Sequence, residues 1–316
     1  MKAVDHTFAD IELPKPSPSG RDLLVKVEAV SVNPVDYKQR KQATASRILG
    51  WDAAGTVEAT GKEVTLFKPG DTVYYAGDVT RPGCNSEFHL VDERIAGRKP
   101  NTLDFAQAAA MPLTSITAWE AFFDRMKVQS GKRILIISGA GGVGSIGIQL
   151  AKQAGLHVIA TASRPESVAW VKTLGADEVV NHRESLNAQI RNPVDYIANF
   201  SGDLDAYWDA MAELVTPQGA LVAIVANTKP LPMDSVRMKS ATVCWELMFT
   251  RPRFQTPDMI EQHRLLNQVA DWLDAGKLRC TLKETLGPVN GVNLRKAHER
   301  LESGTMIGKL VLKGWS

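Results

Sequence analysis

A chain of 316 residues has room for two domains and a substantial core, and 44% hydrophobic with 23% charged residues is an ordinary globular balance. A net charge of +2, with no basic stripe interleaved with aromatics, gives no reason to expect nucleic acid as a partner. No apolar run reaches the ~18 residues of a membrane helix, and the opening MKAVDHTFAD lacks the regions of a secretory signal.

Cys84, Cys244 and Cys280 are odd in number and widely spaced. That argues against a disulfide framework and for a reducing compartment, with the cytoplasm as the expected location.

In chain order, the first hundred residues read as short strands. Residues 23–29 alternate, and 55–59 and 71–75 are further candidates. Pro14, Pro16, Pro18, Gly20, Pro69-Gly70 and Pro82-Gly83 supply dense punctuation. This predicts an all-β module of Greek-key or barrel type. From Ala106 the text turns helical on both sides of Pro112, which interrupts or begins a helix there.

From Arg133 to about Phe249 strands and helices alternate, as in an α/β doubly wound sheet. The predicted strands are 134–138, 157–161, 178–180, 194–199, 220–225 and 241–245. Helices are predicted over 143–154, 165–174 and 204–214, with Pro165 in a first turn where its missing N–H costs nothing. Residues 257–275 form an amphipathic helix that Gly276 terminates. A helix over 292–301 and a strand over 309–312 complete the chain.

The apolar run 134–137 leads straight into Gly139-Ala140-Gly141-Gly142-Val143-Gly144, which is followed by helical spacing of Val143, Ile146, Leu150 and Ala151. Strand, G-x-G-x-x-G turn and helix in that order is the dinucleotide-binding arrangement. Gly139 permits the tight turn, Gly141 lets the backbone approach a pyrophosphate, and Gly144 lets helix and strand pack closely. The helix N-terminus offers free N–H groups to the phosphates.

An acidic residue at the end of the second strand selects NAD, because it bonds the ribose 2′-hydroxyl. Here Ser163-Arg164 stands at that place, and a guanidinium pairs with a 2′-phosphate instead. Glu166 is the competing acid, but behind Pro165 it better serves the helix dipole. The expected cofactor is NADPH.

Several further stretches, in order, are Val32-Asn33-Pro34-Val35-Asp36, Gly50-Trp51-Asp52-Ala53-Ala54-Gly55, Phe67-Lys68-Pro69-Gly70-Asp71-Thr72-Val73, Met111-Pro112-Leu113-Thr114-Ser115-Ile116-Thr117-Ala118 and Gly308-Lys309-Leu310-Val311-Leu312. With the glycine turn they make the chain resemble the medium-chain dehydrogenase/reductase superfamily over nearly its whole length. The likeness is best to the zinc-independent branch of quinone oxidoreductases and zeta-crystallin.

The resemblance implies a Rossmann sheet inserted in a GroES-like β-barrel domain. The expected boundaries are 1–115 and 255–316 for the barrel domain and 116–254 for the Rossmann domain. It also implies cofactor contacts from Thr117, His182, Phe200, Ser201, Val225 and Lys309, with Asn181 and His182 near the adenosine phosphate. Two stretches, 6–9 and 40–48, look shorter than the branch implies.

Zinc relatives carry a Cys near the Asn33–Asp36 loop, a Gly-His-Glu at Gly50-Trp51-Asp52, and a lobe of cysteines. Here Trp51 replaces the His and no Cys cluster exists, so no metal is expected. Cys84 with His89 is the one pair that suggests a site.

Without a metal, hydride must go to an electron-poor carbon, such as that of a quinone or an α,β-unsaturated carbonyl. The protein then supplies orientation, a dry pocket and a donor to the oxyanion. The candidates are the Asn33 amide, the Tyr37 hydroxyl and Lys38 on the loop NPVDYK, with Asp36 as a capping residue. Trp51 and Thr114 are expected to line the substrate pocket.

The resemblance also implies a homodimer, with 241–249 as a paired edge strand. Two other functions compete: a zinc-dependent or zinc-assisted alcohol or aldehyde dehydrogenase, and a non-catalytic NADPH-binding sensor or structural protein.

Overall fold

The computed structural model describes residues 2–4 and 7–315, with side chains from Phe8 onward. His6, in the stretch 6–9 expected to be short, lies outside the described residues.

The chain forms two units, one comprising the chain up to Ile116 and again from Phe249, the other Thr117–Met248. Residues 249–254, expected with the Rossmann segment, therefore fall in the first unit.

The first unit opens with a hairpin of β1 (Lys2–Val4) and β2 (Thr7–Ala9). Its backbone is then β3 (Asp22–Ser31), in which Leu23, Leu24, Val25, Val27, Ala29 and Val30 are buried while Lys26 faces out. The predicted 23–29 strand is thus real and longer. Next come α1 (Pro34–Gln42), β4 (Ala53–Thr60), β5 (Thr72–Tyr75), β6 (Phe88–Asp92), β7 (Ala96–Arg98) and α2 (Phe105–Ala109). Gly55 on β4 cannot be replaced freely, since a Cβ there would lie 2.1 Å from the Lys26 carbonyl of the neighbouring strand.

Helix α3 (Pro112–Trp119) begins at Pro112, as its missing N–H favours, and runs into a widened π turn, Glu120–Arg125. The second unit follows: β8 (Arg133–Ile137), α4 (Gly142–Gln153), β9 (His157–Thr161), α5 (Pro165–Thr173), β10 (Glu178–Val180), α6 (Leu186–Gln189), β11 (Val194–Asn199), α7 (Trp208–Leu214), β12 (Val215–Ala223), α8 (Asp234–Met238) and β13 (Thr242–Trp245).

The sheet order is β10-β9-β8-β11-β12-β13, and every pairing is parallel. In order along the chain this is 3-2-1-4-5-6, the Rossmann arrangement. Strands buried on both faces explain why β8 is an unbroken apolar run. Two predictions shift here. Helix α7 starts at Trp208, because Asn199, Ser201 and Asp203 hold a turn ahead of it, and β12 starts earlier than expected, at Val215.

The chain then returns to the first unit through α9 (Thr250–Phe254), α10 (Ile260–Asp274), β14 (Leu282–Leu286), α11 (Gly291–Glu302) and β15 (Lys309–Lys313). Gly276, at φ +68°, follows α10 as expected. The sheet of this unit runs β14-β15-β3-β4-β5-β7, with β6 also on β3. Thus the last strand of the sequence pairs with Ala29–Ser31 and completes the sheet begun by the first hundred residues. Leu23, Val25, Val27, Val73, Tyr75, Leu294, Leu310 and Leu312 share one core.

A candidate active site and cofactor cradle

The glycine turn sits at the C-terminal edge of the second unit's sheet, between β8 and α4. Ser138 takes the left-handed conformation (φ +65°) to leave the strand, and its N–H donates to Thr161 Oγ1 at 2.9 Å. A Cβ on Gly139 would meet Ala160 Cβ at 2.9 Å, and one on Gly144 would meet Ser138 O at 2.2 Å. Gly139 and Gly144 are therefore required by packing. Gly141 is the N-cap of α4, with no side chain capping the turn of Gly142, Val143 and Gly144. The Gly141 N–H is spent on Ser138 O at 3.1 Å, and the amides of the first helical turn after it are suited to an anion, with the helix dipole behind them.

Ser163, Arg164 and His182 gather where β9 and β10 end. Ser163 Oγ lies 3.4 Å from His182 Nε2, and the nearby Arg183 and Arg164, after burial, hold His182 below its ordinary pKa. Pro165 starts α5 behind Arg164, and Glu166 is exposed in its first turn. Arg164 and Arg183 lie near His182, and Glu184, which accepts from Asn181 Nδ2 at 2.7 Å, and Glu166 are acids of the same region.

Thr117 is buried on α3. Phe200 follows β11 and packs on Phe122 at 5.8 Å, and a Cβ on Gly147 would touch its ring at 3.0 Å, so it has a packing role. Ser201 donates to Asn199 Oδ1 at 2.6 Å, and Val225 lies against the sheet's core.

In the first unit the NPVDYK segment is the start of a helix rather than a loop. Asn33 is the N-cap of α1, and Asp36 Oδ2 accepts its N–H at 2.7 Å. A Pro at the first helical position followed by an acid is a helix-start pattern, so the helix was readable. Tyr37 is half-buried beneath Lys41, whose Nζ lies 5.3 Å from its ring, and Lys38 is exposed.

Asn33, Asp36, Asp52 and Lys309 converge in a buried cluster. Lys309 Nζ donates to Val32 O at 3.1 Å, to Asp52 Oδ2 at 3.0 Å and to Asn33 Oδ1. Asn33 Nδ2 donates to Asp52 Oδ2 at 3.0 Å and to Trp51 O at 3.3 Å. Asp52 Oδ1 accepts from the Leu113 N–H at 2.9 Å.

Two residues expected at the site are held in this arrangement. The Asn33 amide is buried, with its hydrogens committed to Asp52 Oδ2 and Trp51 O. Lys309, expected beside the cofactor, spends its three N–H groups inside the first unit.

The charges divide unequally. Burial pushes the Asp52 carboxyl up, but Lys309, Asn33 and the Leu113 amide oppose it. Asp36 has one donor and a buried Oδ1 with no partner. Burial pushes its pKa up to about 7, against the pull of the Asn33 N–H and Lys309. The negative charge therefore rests on Asp52, and Asp36 keeps its proton until near neutrality. The sequence reading passed over Asp52, although it stands where zinc relatives place a glutamate.

Trp51 is buried, donates to Asp78 O at 3.2 Å, and lies under the Arg47 guanidinium at 5.1 Å. Arg47 also bonds Gln39, Val79 O and Arg81 O, which ties down the 40–48 stretch. Thr114 is buried and its hydroxyl donates to Met111 O at 3.2 Å.

The residues do not fit a zinc ion. Among the described residues no group of three His, Cys, Asp or Glu is placed to hold a metal. His89 uses both nitrogens, on Tyr75 Oη and Pro82 O, and burial lowers its pKa to about 4. Burial raises the Cys84 thiol, which bonds Asp52 O at 3.5 Å. A thiol held neutral is a poor ligand.

Comparison with known proteins completes the description. The family model of the alcohol dehydrogenase GroES-like domain matches residues 19–112, and that of the zinc-binding dehydrogenases matches residues 174–312. The chain is 45% identical to a zinc-type alcohol dehydrogenase-like protein of Staphylococcus aureus (strain COL), covering 96% of this chain and 94% of that one.

A Rhizobium etli CFN 42 structure, provisionally named a zinc-dependent alcohol dehydrogenase, is 51% identical with a TM-score of 0.93, covering 97% of this chain and 93% of that one. The quinone oxidoreductase of Coxiella burnetii is 30% identical with a TM-score of 0.81, covering 96% and 93%.

Proposed function

The chain belongs to the medium-chain dehydrogenase/reductase superfamily of NAD(P)H oxidoreductases, and from that premise we propose an NADPH-dependent reductase of quinones or α,β-unsaturated carbonyls that works without zinc. The observation that carries the proposal is what fills the position of the zinc ligands. Trp51 stands in place of a histidine, and its neighbour Asp52 is neutralised by Lys309 at 3.0 Å. The reading without zinc is supported by the lack, among the described residues, of three His, Cys, Asp or Glu placed to hold a metal. The likeness to a quinone oxidoreductase supports the acceptor class.

A bound nicotinamide supplies the hydride itself. The turn from Ala140 to Gly144, with the first-turn amides of α4, would hold its pyrophosphate, and Ser163, Arg164 and His182 a 2′-phosphate. Thr117, Phe200, Ser201 and Val225 would shape the nicotinamide side. Because the Asn33 amide is committed, the proton or hydrogen bond for the reduced oxygen falls to Tyr37 or Lys38 on α1. Trp51 and Thr114 would give the substrate pocket its walls.

Strand β13 is an edge of its sheet, and Trp245 and Leu247 beside it are 45% and 49% exposed. That supports pairing of two copies into a homodimer. The cysteines are all free, which suits a cytoplasmic setting.

The test is NADPH oxidation with 1,2-naphthoquinone, phenanthrenequinone and a simple enone, with and without a chelator. Turnover indifferent to the chelator is expected, and no turnover across the panel, or turnover only with added zinc, overturns the reading. Arg164→Ala should raise the NADPH dissociation constant by roughly 10- to 100-fold, as loss of charge-assisted bonds implies, and that for NADH far less.

A further inference from the structure

A second buried polar group lies in the nucleotide-binding unit, and the cofactor reading makes no use of it. Glu120 opens the π turn that follows α3, and Glu246 directly follows β13, where its N–H donates to Ala223 O at 2.9 Å. The two residues are only 0% and 2% exposed. Arg125, at the end of the same π turn, donates from Nε to Glu246 Oε2 at 2.9 Å.

Glu120 stands close enough to Glu246 to repel it and, once one of the two is protonated, to hydrogen-bond with it. Two carboxylates cannot hydrogen-bond, because neither has a hydrogen to give. A proton on the pair removes the repulsion. Glu246 Oε1 meets no other donor, so a proton there also removes a buried unsatisfied oxygen. With one proton the pair carries a single negative charge, which the guanidinium of Arg125 balances.

The titratable groups facing Glu246 agree. Burial, then Glu120, push its pKa up to about 9, while Arg125 pulls it down. Cys244, on the same strand, has its thiol pushed up to about 11 by burial and is neutral across this range.

The location gives the pair a use. Thr117 precedes Glu120 by three residues, one helical turn, and Glu246 caps the last strand at the ligand-binding edge of the sheet. We propose that Glu120 and Glu246 share one proton and, with Arg125, clamp the Thr117 end of α3 to the end of β13, positioning that wall of the cofactor site. Loss of the proton puts two like charges together in a buried place and drives the two segments apart. The π turn is the element that yields, being the irregular segment of that helix.

The cofactor arm of this inference rests on Thr117 contacting the cofactor, whereas the stability arm does not. The sign follows from linkage. The unfolded chain releases this proton near 4.5 and the folded chain near 9, so the folded form binds more protons between them and stability falls across that window. Glu246→Gln stays neutral and can still donate to Glu120, so it lacks this slope.

Melting the wild type and Glu246→Gln from pH 5 to 10 should show the difference in Tm widening in favour of the variant up to about pH 9 and then levelling. Glu120→Gln should behave alike, and covers the case in which the first variant does not fold. In NADPH titrations, the ratio of wild-type to Glu246→Gln dissociation constants should rise by about fivefold or more between pH 8 and 10. A Tm difference constant over pH 5–9 in both variants refutes the shared proton. A widening Tm difference with a constant ratio of dissociation constants refutes the positioning role and leaves the clamp purely structural.

Discussion

Replacing Lys309 by Met tests the buried cluster most directly. The Lys309 and Asp52 side chains are 4% and 0% exposed and their charged atoms are 3.0 Å apart. At an effective dielectric near 20, that separation corresponds to an attraction of about 5–6 kcal/mol. Methionine keeps the apolar stem but leaves Asp52 charged and uncompensated. Breaking such pairs costs about 3–5 kcal/mol, or on the order of 6–20 °C in Tm for a unit of this size.

Asp52→Asn should cost less than Lys309→Met. Asparagine still accepts the Leu113 N–H, and Asp36 can ionise to balance the remaining ammonium. The double variant should then be more stable than the sum of the two losses implies, because a neutral pair replaces an orphaned charge. Thermal melts followed by circular dichroism at pH 7 supply all the values needed. A loss under about 1 kcal/mol for Lys309→Met would show that Asp52 is not ionised, and the charge assignment in the cluster would fail.

Two further outcomes follow from neighbouring positions. The Asp36 carboxyl has its folded pKa raised to about 7 from 3.8, so the stability it lends is complete below 3.8 and is lost as pH rises to 7. Asp36→Asn, which can still accept the Asn33 N–H, should gain on the wild type over that interval, by about 4 kcal/mol at most, with no further change above it. Melting curves from pH 4 to 9 check this, and a difference that keeps widening above pH 8 contradicts it. Gly144→Ala would push a Cβ to 2.2 Å from Ser138 O, a backbone atom that cannot move alone. It should weaken NADPH binding at least tenfold in fluorescence titration and destabilise the protein by about 1–3 kcal/mol. Unchanged binding would mean that α4 does not set the cradle.

The parts legible in the sequence were those governed by local rules. Strands 157–161 and 194–199 appear with the predicted bounds because buried parallel strands are apolar runs between turns, and the edge strand 178–180 also keeps its bounds. The glycine turn was legible because Gly139 and Gly144 exist to avoid contacts with neighbours only a few residues away in chain or sheet. Helix α1 was missed for a different reason: its mean composition, PVDYKQRKQ, has almost no apolar periodicity, and only Asn33-Pro34 and Asp36 mark its start.

The polar clusters were not legible at all, because their meaning lies in pairings of high sequence separation. Lys309 reaches Asn33 across 276 positions and Asp52 across 257. Nothing near Lys309 in the chain distinguishes a phosphate-binding lysine from one whose protons are already spent. The same holds for Glu120 and Glu246, which lie far apart in the chain and meet only because β13 is laid beside the π turn. A buried charge is therefore the feature for which sequence reading fails most predictably. Its role is fixed by which opposite charge is brought within about 3 Å, and that is decided by the sheet order rather than by any local run of residues. Asn33 makes the point from the other side. As an isolated amide near a pocket it is a donor in waiting, and only the position of Asp52 shows that it has nothing left to give.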